Sequence, residues 1–377
     1  MGDSLQRRLL IVAGEASGDL HAARLLTALR ARIEVDARGV TGPALEAAGA
    51  KRLAPMDRLA VIGFTGVLRR LPAIRGVFRT LNREVRENPP DAALLVDSPG
   101  FNFRLGPGLH ARGIKVFYYI APQVWAWHAE RARQMAGWVD RLAVVFPFEE
   151  PLFHDAGVTT RWVGHPLLDD FRPEVEESAW RAELGLARDA PVLGLLPGSR
   201  PQEIERHRGP LLEAAARLRA DRPSLAAVMA LPPRSSGAAP QVSREDGVTV
   251  VRGRTRATQA FARACAVASG TATLETALFA TPLVVIYRTG WLNWELGRRL
   301  VRLPRIGLPN IVAGEEVAPE LLQRDLTATK LAELLAPWLD DDAQRARASE
   351  RLRRVREKLG GPGASARAAD WLAEMLA

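Results

Sequence analysis

Leu9-Leu10-Ile11-Val12-Ala13, followed at once by Gly14-Glu15-Ala16-Ser17-Gly18-Asp19-Leu20-His21, is an unbroken apolar run that ends in small and polar residues. A strand that is apolar on both faces belongs to a parallel sheet covered on both sides. The residues after it predict a helix that opens at the loop and runs to about Arg30. The same order of strand, Gly- or Pro-bearing loop and helix returns along the chain. Such runs lie at residues 8–13, 92–96, 114–120 and 142–146, and a second set at 191–196, 225–231, 248–251, 264–268 and 283–287. The predicted architecture is α/β, twice over.

A chain of 377 residues exceeds what one core usually serves. Between the two sets of strands, Trp162-Val163-Gly164-His165-Pro166 leads into an acidic stretch at 169–177, a composition shift that marks a linker. This divides the chain into residues 1–166 and 167–342. The stretch 343–377 reads as helices broken at Gly360-Gly361-Pro362-Gly363 and expected to return to the first domain, and 232–243 reads as an exposed loop.

An apolar fraction of 47% and a charged fraction of 25% are those of a globular chain. The net charge of +9 and pI near 10.5 favour an anionic partner: nucleic acid, anionic lipid or a phosphorylated substrate. A surface rich in arginine for no functional reason gives the same figures. The single cysteine, Cys265, lies in an apolar run and fits a reducing compartment. No stretch reads as a signal peptide or a spanning helix, so any membrane contact is expected to be peripheral.

In parallel sheets, ligands bind beyond the carboxyl ends of the strands. After the first strand, Glu15, Ser17, Gly18 and Asp19 combine backbone access with polar side chains, which suits an anion or a sugar; Ser17 or Asp19 as a plain helix cap is the alternative. Leu95-Val96-Asp97-Ser98-Pro99-Gly100 ends a strand on a carboxylate, which makes Asp97 the candidate general base, or else a turn-capping Asp beside Pro99. Ala121-Pro122-Gln123-Val124-Trp125-Ala126-Trp127 is either packing or a stacking platform, with Gln123 as its polar member.

In the second half, Gly198 and Ser199 can present N–H groups to a diphosphate, and Arg200 supplies a fork of donors for the departing charge. Ser269-Gly270-Thr271 then opens a helix on which Glu275 lies one turn beyond Thr271, so that phosphate can sit on the helix start and ribose hydroxyls on the carboxylate. Capping by Ser269 or Thr271 explains the hydroxyls equally well. The six histidines are scattered and no metal-ligand spacing is present, so neither metal nor cofactor is expected.

Taken in order, these segments, together with Gly164-His165-Pro166-Leu167 and Leu308-Pro309-Asn310-Ile311-Val312-Ala313-Gly314, resemble the lipid-A-disaccharide synthase family over nearly the whole chain. The resemblance implies a GT-B fold, two Rossmann-like domains whose parallel sheets face a cleft. It also implies inverting transfer of 2,3-diacylglucosamine from UDP to 2,3-diacylglucosamine 1-phosphate, giving a β-1,6-linked disaccharide and UDP. By position, Asp97, Arg200 and Asn310 match residues the family needs for activity, with Asn310 on the donor side, and Glu275 matches the ribose ligand. Gly100 and Glu315 depart from the family pattern, which commonly has Asp and a basic residue there.

A membrane-facing patch is also implied, and Val67, Leu68, Leu71, Ile74 and Phe78 supply an apolar stripe flanked by Arg69, Arg70, Arg75 and Arg79. Pro72 predicts two short helices there, and a stripe turned into the core is the alternative. The expected location is cytoplasmic, on the inner face of the membrane, and a homodimer is left open. The competing functions are another GT-B enzyme, one acting on a different acceptor or a UDP-N-acetylglucosamine epimerase, and a basic nucleic-acid-binding protein. The latter lacks a recognisable module, so no nucleic-acid partner is expected.

Overall fold

The computed structural model describes residues 6–59, 63–123, 130–233, 238–291, 294–295 and 304–377. In the helix Gly63–Glu87, side chains are described from Leu71 onward. The chain divides into two compact units, Met1–Asp170 with Gly361–Ala377, and Phe171–Gly360.

The first unit contains β1 (Arg7–Ala13), β2 (Val35–Thr41), β3 (Lys51–Pro55), β4 (Ala92–Val96), β5 (Lys115–Tyr119), β6 (Arg141–Val144) and β7 (Thr160–Trp162). They form one sheet in the order β3-β2-β1-β4-β5-β6-β7, with every pair parallel. The second unit contains β8 (Val192–Leu196), β9 (Ala226–Leu231), β10 (Gln241–Glu245), β11 (Val248–Arg252), β12 (Ala264–Ala268), β13 (Leu283–Tyr287) and β14 (Glu320–Leu322), in the order β10-β11-β9-β8-β12-β13-β14. Its edge pair β10/β11 is antiparallel.

The central strands β1, β4, β8 and β12 are buried along nearly their whole length. This is why they read as continuous apolar runs. In each sheet the chain starts in the middle, builds one way and then crosses back to build the other. The order reverses between β1 and β4 in the first unit and between β8 and β12 in the second. At such a switch point neighbouring loops leave in opposite directions and open a crevice at the strand ends.

Three details differ from the sequence reading. The helix Gly63–Glu87 runs unbroken through Pro72. Pro72 removes one backbone bond, while past it Val77, Leu81 and Val85 are buried in the core and Ile74 and Phe78 pack against it. Burying each of the three is worth about 1.5–3 kcal/mol, which outweighs a single lost bond. Secondly, the segment read as a loop at 232–243 includes the start of β10, an exposed edge strand with no apolar signal. Thirdly, of the stretch 343–377 only residues from Gly361 join the first unit.

That return has a defined anchor. The Asp169 carboxylate accepts the N–H groups of Gly363 (2.7 Å), Ala364 (2.8 Å) and Ser365 (2.9 Å) at the start of the helix Ala364–Leu376. An anion on a helix N-terminus satisfies orphan donors and the helix dipole together; burial pushes the Asp169 carboxyl up, but the Ser365 side chain and these backbone bonds outweigh it and hold Asp169 below the usual carboxylate range. The helix Asp342–Lys358 stays with the second unit, where Arg263 pairs with Asp342 at 2.6 Å and Lys358 donates to the Ala313 carbonyl at 2.6 Å.

Candidate functional site

The switch point of the first unit is built by the loops after β1 and β4. Gly14 and Ser98 meet there: a Cβ on Gly14 would stand 2.3 Å from the Ser98 hydroxyl, so only glycine lets the loops close up. Asp97 and Ser98 both adopt left-handed backbone, each with φ 45°. Non-glycine residues are rarely held there, and two in succession store strain that the surroundings must over-determine. They do: the Asp97 N–H donates to the Tyr119 carbonyl at 3.1 Å, and its own carbonyl accepts from the Asn102 amide at 2.7 Å and from the Tyr118 hydroxyl.

The Asp97 side chain is half-buried, and its pKa is pushed up to about 6 by burial first and then by the charge of Glu15; a backbone bond from Ser98 acts in the opposite direction. A carboxylate poised near neutral pH is suited to accept a proton. Glu15, Ser17 and Gln123 are exposed, and Gly18 is buried where its helix approaches Val96.

Asp19 has a different task from the one expected. It is buried, and its carboxylate accepts from the N–H groups of Gly42 (2.7 Å), Ala44 (2.8 Å) and Leu45 (3.3 Å). It therefore caps the short helix Pro43–Ala47, and its oxygens are taken. Of the aromatic loop, Val124, Trp125, Ala126, Trp127 and His128 lie outside the described residues.

The switch point of the second unit is built by the loops after β8 and β12. Gly198 has φ +111°, and a Cβ there would stand 2.6 Å from the Glu203 carboxylate. Among the described residues, nothing accepts the N–H of Gly198 or Ser199. The exposed Arg200 leans on Glu203 at 3.2 Å, a surface pair weak enough to yield to a doubly charged ligand. Across the switch point, Gly270 has φ +139° with open space where a side chain would be, and Thr271 is exposed at the start of the helix Thr271–Leu278. Ser269 is fixed through its N–H to Ile286 (2.9 Å) and its hydroxyl to Ile306 (3.3 Å).

Glu275 is mostly buried and paired with Arg256 at 3.3 Å. Burial raises its pKa, and the Arg256 guanidinium opposes the rise. The arrangement offers backbone donors for phosphate, a movable guanidinium and a carboxylate acceptor one helical turn away.

Asn310 is the residue that the geometry recasts. It is buried, and its amide makes four bonds: to the Ala318 carbonyl (2.7 Å) and the Glu320 carboxylate (2.7 Å) as donor, and from the N–H groups of Val317 (2.8 Å) and Ala318 (2.9 Å) as acceptor. Such an amide has no capacity left for a ligand. Through Glu320 it is linked to the loop before the helix Leu308–Ala313: Glu320 also accepts from Ile306 N–H (3.0 Å) and Gly307 N–H (2.9 Å), and the Ile306 carbonyl takes the Ser269 hydroxyl. The sequence offered no sign of this chain, because Glu320 stands on the three-residue strand β14.

On the family departures, Glu315 pairs with Arg351 at 3.3 Å on the surface, and a side chain at Gly100 would meet open space. In the stripe, Phe78 packs against Phe101 with ring centroids 4.3 Å apart and planes tilted by 35°, and Ile74 also packs against the core, so this part of the stripe faces the core. Val67 and Leu68 lie on the helix where side chains are outside the described residues, whereas Arg75 and Arg79 are exposed. Among the described residues no helix is long and apolar enough to cross a membrane.

A family model described as lipid-A-disaccharide synthetase matches residues 9–373. The lipid-A-disaccharide synthase of Anaeromyxobacter dehalogenans (strain 2CP-C) is 44% identical over 371 residues, covering 97% of each chain. Among solved structures, the glycotransferase of kitacinnamycin matches with a TM-score of 0.63 at 17% identity, covering 98% of this chain and 99% of the other. UDP-GlcNAc 2-epimerase from Neisseria meningitidis, solved bound to UDP-GlcNAc, matches with a TM-score of 0.65 at 11% identity, covering 97% and 100%. The last two likenesses are of fold alone, the GT-B type that the sequence resemblance implied.

Proposed function

The chain belongs to the lipid-A-disaccharide synthase family, and from that membership we propose how its residues divide the work of a glycosyltransferase that forms the lipid A disaccharide. The donor is UDP-2,3-diacylglucosamine and the acceptor 2,3-diacylglucosamine 1-phosphate. Asp97 takes the proton of the acceptor 6-hydroxyl as its oxygen attacks the anomeric carbon, and the bond to UDP breaks with inversion. The loop at Glu15 to Gly18 and Gln123 serve the acceptor. Gly198, Ser199, the helix start at Gly270 and Thr271, and a released Arg200 receive the charge that develops on departing UDP. Glu275 accepts from ribose hydroxyls.

One observation carries this reading: a carboxylate, strained in its backbone and raised towards neutral pKa, stands at the switch point of one sheet, while the corresponding point of the other sheet offers an arginine and backbone donors that meet no acceptor among the described residues. The membrane-facing side of the proposal rests on the exposed Arg75 and Arg79 and on the acylated substrates, and places the protein peripherally on the inner face of the cytoplasmic membrane.

The test is to incubate the protein with both acylated substrates and follow UDP and disaccharide together. The proposal expects both products in equal amounts and none from donor alone. Conversion of the donor alone would point instead to epimerase chemistry, and Asp97→Asn with full turnover would remove the base.

A further inference from the structure

His207 lies two turns into the helix Pro201–Ala220 and is fully buried. Its two ring nitrogens reach two different strand ends. Nδ1 stands 2.7 Å from the carbonyl oxygen of Pro197, the residue after β8, and Nε2 stands 2.8 Å from the backbone nitrogen of Arg288, the residue after β13. The Arg288 N–H can only donate and the Pro197 carbonyl can only accept. The ring is therefore the neutral tautomer with its proton on Nδ1, a form that burial also favours. Arg288 extends the tie, since its guanidinium donates to the carbonyls of Gln323 at 3.1 Å and Leu326, both past β14.

The bond to Pro197 has a consequence one atom further on. The Pro197 carbonyl and the Gly198 N–H belong to a single planar trans peptide, in which the two groups point in opposite directions. Holding the carbonyl towards the buried ring turns the Gly198 N–H away from the helix. Gly198 itself, at φ +111°, has the freedom to let this peptide rotate if nothing grips it. Proline at 197 fixes only its own φ.

We propose that His207 is a positioning residue for the donor: its Nδ1–H locks the Pro197–Gly198 peptide so that the Gly198 N–H stays aimed at the diphosphate of the UDP-sugar. This rests on the donor-site reading above and adds to it the group that preorganises the loop. A donor loop set in advance loses no ordering entropy on binding, which strengthens the hold on UDP without any contact to it.

The experiment compares wild type, His207→Phe and His207→Asn by titration with UDP, by melting temperature and by the KM of each substrate. Phenylalanine fills the ring's space without a donor, and asparagine returns a side-chain N–H near the Nδ1 position. The expected result is UDP binding at least tenfold weaker in His207→Phe, with a raised donor KM, an unchanged acceptor KM, and recovery to within about threefold of wild type in His207→Asn. Should the phenyl ring prevent folding, His207→Leu takes its place in the same comparison. A folded His207→Phe or His207→Leu that binds UDP like wild type overturns the proposal, as does an equal loss for donor and acceptor. A wild-type protein without affinity for UDP overturns the donor-site reading itself, and this inference with it.

Discussion

The side-chain amide of Asn102 donates to the backbone carbonyl of Asp97 at 2.7 Å, and so holds in place a residue whose backbone would otherwise relax out of the left-handed region. Asn102 is fully buried on the helix Pro99–His110 and sits five residues from the carboxylate it steadies. Asn102→Ala removes that hold while leaving the Asp97 carboxylate itself in the chain. Turnover is expected to fall at least tenfold with UDP affinity unchanged, at a stability cost of about 1–3 kcal/mol, checked by kinetics beside a denaturant melt.

The raised Asp97 pKa sets the pH dependence. Activity that needs the carboxylate ionised should fall on the acid side with a midpoint near the value of about 6, and Glu15→Gln should move that midpoint down by removing the repelling charge. The stability linkage runs the other way. The folded-state pKa lies above the unfolded one, so the folded protein binds more protons across the window from about 4 to about 6, and stability drains away as pH rises through it. Asp97→Asn should therefore be more stable than wild type at pH 8, on the order of 1 kcal/mol, with no such gain at pH 4. Thermal melts at the two values decide it.

Gly198→Ala tests the donor loop directly. The new methyl group would meet Glu203, the partner that holds Arg200, and the backbone at φ +111° penalises any side chain. The expected cost is about 1–3 kcal/mol in stability and more than tenfold in UDP affinity, read by calorimetric titration. Gly100→Ala, where a side chain meets open space, should leave the fold unchanged.

Asn310→Ala should act as a structural lesion with a catalytic effect. It leaves the N–H groups of Val317 and Ala318 without their acceptor and the Glu320 carboxylate with only its two backbone donors, all in buried or half-buried surroundings. A loss of about 2–4 kcal/mol is expected, with lost activity that Asn310→Asp does not restore because a carboxylate cannot donate to the Ala318 carbonyl. Undiminished stability in Asn310→Ala would show that Asn310 meets the substrate instead.

The parts of this molecule that were legible in sequence are those whose physics is local. β1, β4, β8 and β12 are buried on both faces and announce themselves as apolar runs, and the loops that follow them carry the candidate residues. β2 was missed because Arg38 sits in its middle, paired with Asp36 and Glu84, which breaks the apolar signal. β3 opens with the exposed Lys51 and Arg52, and β7 and β14 are three residues each, too short to show a period. Polar residues were harder still. Asp19 and Asn310 look like ligands for a substrate in a list of motifs, yet each binds backbone groups, and only the fold brings those partners within reach.

The most direct test is a pair of readings on one variant, Asp97→Asn: its affinity for UDP and its turnover with both acylated substrates. If the first sheet supplies the proton acceptor and the second holds the nucleotide, UDP binding stays within about twofold of wild type while turnover falls by two orders of magnitude or more. Turnover near the wild-type rate would contradict the account.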